Sequence, residues 1–259
     1  MRTVVPLLAL VMVTASCSVA TEATTTTEPP STTTLAPTTS TTEAETPTTF
    51  AGIDPTALPP DSTLVGMAKG ELDVYEAPDS AEPSMALPTT TILETVTVVT
   101  ILEGPIDGWA RVMLPIRPNG SEGWVKTADI EVYVVAGRLL VDLSERMLTY
   151  YRSGEVVLTS TVAVGTDRNP TPTGHFFVTD NVTMVDPNSP WGPHALGLSG
   201  RSDSISEYNG GDGIIGIHGT NRPASIGEAA SLGCVRLPND VITLIHQMVP
   251  IGTPVEIRA

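Results

Sequence analysis

Beyond residue 54 the chain is built from apolar runs of strand length, separated by Gly and Pro. The runs 95–102, 109–114 and 123–126 alternate with Pro/Gly turns, the pattern of a small barrel or sandwich. After residue 132, the runs 139–144 and 147–151 predict two strands joined by a polar turn. Ser153-Gly154-Glu155 turns the chain into an apolar run at 156–165, and a loop with Pro170 and Pro172 precedes a strand at 175–179. Residues 188–213 are rich in Gly, Ser and Pro and weakly periodic, which predicts a long loop and a candidate lid. A short buried strand is expected at 214–218. Val241, Leu244, Ile245 and Met248 recur at helical spacing behind Pro238-Asn239-Asp240, predicting one amphipathic helix. A last strand is expected at 252–257, at a sheet edge because Pro254 cannot donate to a ladder. The expected class is therefore mainly β with few short helices.

The N-terminal part reads differently. Arg2 and an apolar core at 4–13, too short to span a bilayer, form an export signal at 1–20. Thr14-Ala15-Ser16-Cys17 resembles a bacterial lipobox, which makes Cys17 a lipidation site; Thr14 stands where Leu is usual, and cleavage after Ala20 is the alternative. Residues 21–53 are dominated by Thr with interspersed Pro, too polar to repay ordering entropy, and are expected to be a disordered tether. A membrane anchor followed by a tether suits a protein that faces a cell wall from outside the cytoplasm.

The chain has 259 residues and a net charge of −16. Lys69 and Lys126 are its two lysines. Nucleic acid is excluded as a partner, since its phosphates must be neutralised by Lys and Arg, and no polybasic patch is available to hold an anionic membrane.

The chain has two cysteines, and Cys17 lies within the export signal. Cys234 is thus a thiol without a disulfide partner in an exported domain, a liability unless it does chemistry. It sits in Ser231-Leu232-Gly233-Cys234-Val235-Arg236-Leu237, preceded by His218-Gly219, which supplies a base. Thiolate, not thiol, is the nucleophile, so an ionised Cys234–His218 pair is expected. A small buried hydrophobe is the bland reading of a lone Cys, and a satisfied core residue that of a lone His. No His/Cys/Asp/Glu cluster has zinc spacing, so neither metal nor cofactor is expected.

Val141-Asp142-Leu143-Ser144, Thr171-Pro172-Thr173-Gly174, His218-Gly219, the Ser231–Leu237 run and Gly252-Thr253-Pro254-Val255, in this order, resemble the YkuD-type L,D-transpeptidase catalytic domain over roughly 133–258. The resemblance implies a β-sandwich-like catalytic domain at 133–259. It implies that Cys234 is the nucleophile, that His218 is the general base and acid, and that a backbone carbonyl such as that of Gly219 orients His218. The amides of Gly233 and Cys234 would form an oxyanion hole. Arg236 would hold a substrate carboxylate or brace the loop, and Ser231 is a further substrate-site candidate expected to hydrogen-bond within the loop. His194 would line the donor pocket or be a solvated loop histidine, while His175 and His246 read as structural. The implied reaction is 3→3 cross-linking of peptidoglycan stem peptides through a Cys thioester, with carbapenems as inhibitors. An L,D-carboxypeptidase and a non-catalytic wall-binding lipoprotein are the alternatives.

Residues 54–132 carry a second resemblance. Leu72-Asp73-Val74-Tyr75-Glu76-Ala77-Pro78, the 108–115 run and Gly123-Trp124-Val125 resemble a bacterial SH3-like domain, with Asn119-Gly120 as a hairpin turn. Tyr75, Trp109 and Trp124 are either a glycan- or peptide-binding face or packing residues.

Overall fold

A computed structural model describes residue 53 and residues 57–208 and 211–259. The expected export signal with Cys17, and all of the tether except Ile53, lie outside the described residues.

The first part of the chain forms β1 (Ser62–Ala68), β2 (Leu72–Val74), β3 (Met85–Leu87), β4 (Val98–Ile106), β5 (Trp109–Met113), β6 (Glu122–Lys126) and β7 (Ile130–Ala136). Five of these make an antiparallel sheet in the order β6-β5-β4-β1-β7, while β2 and β3 pair as a separate hairpin. Period-two alternation places Ala110 and Val112 of β5 inward with Leu64, Leu72, Val99 and Val125, forming the core of this sheet. Asn119-Gly120 does form a turn: the Pro118 carbonyl accepts from the Ser121 amide at 3.2 Å, with Gly120 at φ 80°. The aromatic cluster favours packing over recognition. Tyr75 is buried, meets Trp109 edge-on at 4.9 Å, and both rings are covered by Lys126 Nζ at 5.0 and 5.7 Å.

The second part adds β8 (Arg138–Asp142), β9 (Met147–Arg152), β10 (Glu155–Thr161), β11 (Val164–Gly165), β12 (Gly174–Thr183), β13 (His194–Arg201), β14 (Ile214–His218), β15 (Ala229–Ser231), β16 (Val235–Arg236), α1 (Asn239–Met248) and β17 (Pro254–Arg258). Eight of these strands form one sheet in the order β10-β9-β8-β17-β12-β13-β14-β16. Its core joins Leu139, Leu148, Val178, Leu196, Ile217, Val235 and Val255 to Ile242 and Ile245 of α1.

Three expectations change. First, β17 is interior, parallel to β8 and antiparallel to β12. Pro254 is tolerated there because it is the first residue of the strand, where the Gly252 and Thr253 backbone already completes the bonds to Val178 at 2.7 and 3.0 Å. Second, β13 runs through the middle of the expected 188–213 loop. Its apolar period was hidden by glycines: a Cβ on Gly197 would stand 2.7 Å from Asp180 Oδ2, and one on Gly200 2.8 Å from the Phe176 ring. Third, α1 buries Ile242 and Ile245 and leaves Leu244 about half exposed, so its apolar stripe is rotated from the one read off the sequence.

The described residues belong to one compact unit. Val65, Val98, Val135 and Phe177 form a shared cluster between the two sheets, and Phe177 is fully buried. Replacing Phe177 with Ala removes the side chain that fills this seam and should destabilise the fold by about 3–5 kcal/mol. A urea midpoint unchanged from the parent protein would contradict that assignment.

Candidate active site

The site is set by two short parallel strands. β14 and β16 pair Ile217 with Val235 and His218 with Arg236. Because successive side chains point to opposite faces, Ile217 and Val235 enter the core, and His218, Cys234 and Arg236 emerge together on the other side. Gly216 faces the same way and carries no side chain, which leaves room for its amide to donate to Cys234 Sγ at 3.4 Å. Cys234, His218 and Arg236 line one open cavity, together with Trp191, Ile205, Tyr208, Ile214 and Leu232. Cys234 as a residue is partly buried and lines that cavity.

The turn before Cys234 is stapled by Ser231. Its buried hydroxyl donates to the Cys234 carbonyl at 2.5 Å and accepts from the Gly233 amide at 3.1 Å. Gly233 has φ 117°, a conformation that favours glycine. Ser231 lines the cavity, and its hydroxyl bonds within the loop as expected. The Gly233 amide donates to the Ser231 hydroxyl, so this member of the expected oxyanion pair is already engaged within the loop.

His218 is held from behind. Its Nδ1 lies 2.6 Å from the Gly219 carbonyl, and since a carbonyl only accepts, Nδ1 carries the proton and Nε2 is left as a base. Gly219 is pinned by a tight junction: Asn239 Oδ1 accepts from the Thr220 amide at 2.7 Å, and Gly192, at φ 65°, approaches so closely that a Cβ would stand 2.7 Å from Gly219 Cα. The Trp191 ring lies 5.0 Å from the imidazole, and Tyr208 lies 6.4 Å beyond Trp191.

These surroundings decide the charges. Burial lowers the His218 pKa to about 4, helped by the Arg236 cation and opposed by the bond to Gly219. Burial raises the Cys234 thiol, opposed by the Gly216 amide and by Arg236. Both shifts favour a neutral thiol and a neutral imidazole over the expected thiolate–imidazolium pair. Two opposite charges in a desolvated site would each lose hydration that their attraction does not fully restore.

Arg236 is anchored through its backbone, which exchanges bonds of 2.8 and 2.9 Å with Ala163. Its Nε is buried with no hydrogen-bond partner among the described residues. That is a donor awaiting an acceptor, since unpaired buried polar atoms are unfavourable.

His194 is not in the cavity. It occupies β13 on the same face as core residue Leu196, and it stacks on His246 of α1 with ring centroids 3.9 Å apart. His246 in turn bonds Asn181, and His175 is exposed at the start of β12. The stretch containing His194 did hold a cavity residue, but it was Trp191. An aromatic next to a Gly-Pro pair was the available signal. Tyr208 carried no sequence signal at all. Among the described residues, no three His, Cys, Asp or Glu side chains gather as a metal site would require.

Residues 136–257 match the L,D-transpeptidase catalytic domain, YkuD. A Bacillus subtilis (strain 168) protein named provisionally as L,D-transpeptidase YkuD is 34% identical over 126 residues, covering 49% of this chain and 68% of that protein. Its Bacillus licheniformis counterpart is 36% identical over 120 residues, covering 46% and 64%. Among solved structures, an L,D-transpeptidase from Mycobacterium smegmatis aligns at 17% identity and TM-score 0.40, covering 73% of this chain and 99% of that one. L,D-transpeptidase 3 from Mycobacterium tuberculosis, in complex with a faropenem-derived adduct, aligns at 15% identity and TM-score 0.40, covering 64% and 92%. The family assignment rests on the sequence matches.

The depressed His218 pKa links to stability. Between its ordinary value near 6.5 and about 4, the unfolded chain takes up a proton that the folded chain refuses. Stability is therefore full above pH 6.5 and falls as pH drops towards 4, by up to about 3 kcal/mol. Urea midpoints at pH 7.5 and 4.5 should differ less in His218→Gln than in the parent; identical pH slopes in the two proteins would refute the buried neutral imidazole.

Proposed function

The chain belongs to the YkuD family of L,D-transpeptidases, and from that premise we propose that it forms 3→3 cross-links between peptidoglycan stem peptides through a thioester on Cys234. The observation that supports this reading most is the single cavity shared by the Cys234 sulfur and by a His218 whose Nδ1 is occupied by Gly219, so that Nε2 is the basic nitrogen.

In the proposed reaction, Cys234 Sγ attacks the carbonyl carbon of the third residue of a donor tetrapeptide as its proton passes to His218 Nε2. A neutral pair suits a transfer concerted with attack, because no thiolate need be held at rest. The carbonyl oxygen becomes an oxyanion facing the Cys234 amide. Collapse breaks the carbon–nitrogen bond, and His218 returns its proton to the leaving terminal D-Ala. The side-chain amine of a neighbouring stem then attacks the thioester, His218 takes that amine's proton, and sulfur departs as the thiol. The unpaired Arg236 Nε is suited to a substrate carboxylate. Trp191 and Tyr208 supply the apolar walls that would limit access of water to the thioester.

We further read residues 54–132 as an SH3-like domain and Cys17 as a lipidated anchor. The protein would then work outside the cytoplasm, tethered to the membrane and facing the wall. A five-stranded antiparallel sheet with an added hairpin is compatible with the first reading, and the sequence around Cys17 is the support for the second.

Incubation of the purified protein with a carbapenem should add the mass of one acyl group. Cys234→Ala should gain none, and His218→Gln should acylate about 10²–10⁴-fold more slowly. With purified tetrapeptide, a cross-linked dimer is the expected product. Tripeptide alone would replace cross-linking by L,D-carboxypeptidase activity, and a folded protein that forms no adduct would favour a non-catalytic wall-binding role.

A further inference from the structure

The cavity wall formed by Ser202, Ile205 and Tyr208 is held from outside the catalytic sheet. The connection between β5 and β6 reaches across with Arg117 and Asn119. Arg117 Nε pairs with Asp212 Oδ1 at 2.6 Å, Nη1 donates to the Ser202 carbonyl at 2.9 Å, and Nη2 donates to the Ile205 carbonyl at 3.0 Å and the Asp212 carbonyl at 3.3 Å. Asn119 exchanges two bonds of 2.8 Å with the Arg201 backbone. Arg201 returns the contact, donating through Nη2 to the Pro115 carbonyl at 2.6 Å, and its Nε lies 3.3 Å from Asp212 Oδ2.

These contacts fall on the residues that shape the site. Ser202 is buried, lines the cavity, and its hydroxyl accepts from the Ile205 amide at 3.2 Å. The carbonyls of Ser202 and Ile205 are two of the three that Arg117 gathers, so one guanidinium fixes both ends of the turn that presents Ile205 to the cavity. A half-exposed ion pair such as Arg117–Asp212 contributes little energy in itself. What a planar fork with five N–H donors adds is geometry, because it can serve a carboxylate and two carbonyls at once where an ammonium cannot.

We propose that Arg117 is a positioning residue of the active site: the N-terminal β-sheet shapes the wall of the acyl-transfer cavity through it. The proposal rests on reading that cavity as the site of Cys234 acylation.

The test uses the full chain and its Arg117→Ala and Arg117→Lys variants. Acylation by meropenem is followed by intact mass at saturating drug, and hydrogen exchange is followed in the 202–208 segment. Arg117→Ala should acylate at least about tenfold more slowly and lose protection at 202–208. Arg117→Lys should recover part of the rate by keeping the charge opposite Asp212, a graded rescue that a merely structural role would not produce. Should Arg117→Ala fail to fold, Arg117→Gln is measured against the same thresholds. Acylation within twofold of the parent, or unchanged protection, overturns the proposal. If the parent protein forms no adduct, the proposed function fails, and the exchange measurement alone then decides whether Arg117 shapes this wall.

Discussion

The site depends on the parallel pairing of β14 with β16. A two-residue strand would contribute little by itself, but this one is locked between Ala163 on one side and β14 on the other. Its register settles which side chains meet. A slip by one residue would carry Val235 into the cavity and Cys234 into the core, since strand side chains alternate. The apolar residues on the hidden faces, Ile215, Ile217, Val235 and Leu237, make that slip unfavourable. Packing on one face thus enforces chemistry on the other.

Around this pair the protein uses small residues where chemistry needs room and polar side chains where it needs rigidity. Gly216 makes space over the sulfur, and Gly192 lets the backbone close on Gly219. Ser231 and Asn239 fix the two loops that carry the cysteine and the imidazole's carbonyl partner. The consequence is a largely desolvated site in which burial favours the uncharged forms of Cys234 and His218 while Arg236 stands near both. Arg236 makes an imidazolium at His218 less favourable and a thiolate at Cys234 more favourable, so its charge acts in opposite senses on the ionisation of the two groups.

The first sheet shares in this arrangement. The Val65–Val98–Val135–Phe177 cluster joins the two sheets through apolar contact, and the Arg117 and Asn119 contacts join them through hydrogen bonds at the edge of the cavity. A seam with both kinds of contact resists sliding as well as separation, which is the condition under which one sheet can position a wall of the other's site.

The sequence by itself determined the class of the fold and pointed to Cys234 and His218 as the candidate chemistry. Cys234 is the one cysteine beyond residue 17, His218 precedes it, and the apolar runs predicted strands where β5, β9, β14 and most others lie. Local pattern suffices for these because it is imposed by period and residue type. Tertiary structure alone decided what pattern does not encode. It placed β17 inside the sheet despite Pro254, and it drew β13 out of an expected loop because Gly197 and Gly200 make room for Asp180 and Phe176. It turned His194 away from the cavity and put Trp191 over the imidazole. It also shifted Cys234 and His218 towards their neutral forms, because desolvation is a property of everything packed around a group and not of its neighbours in the chain.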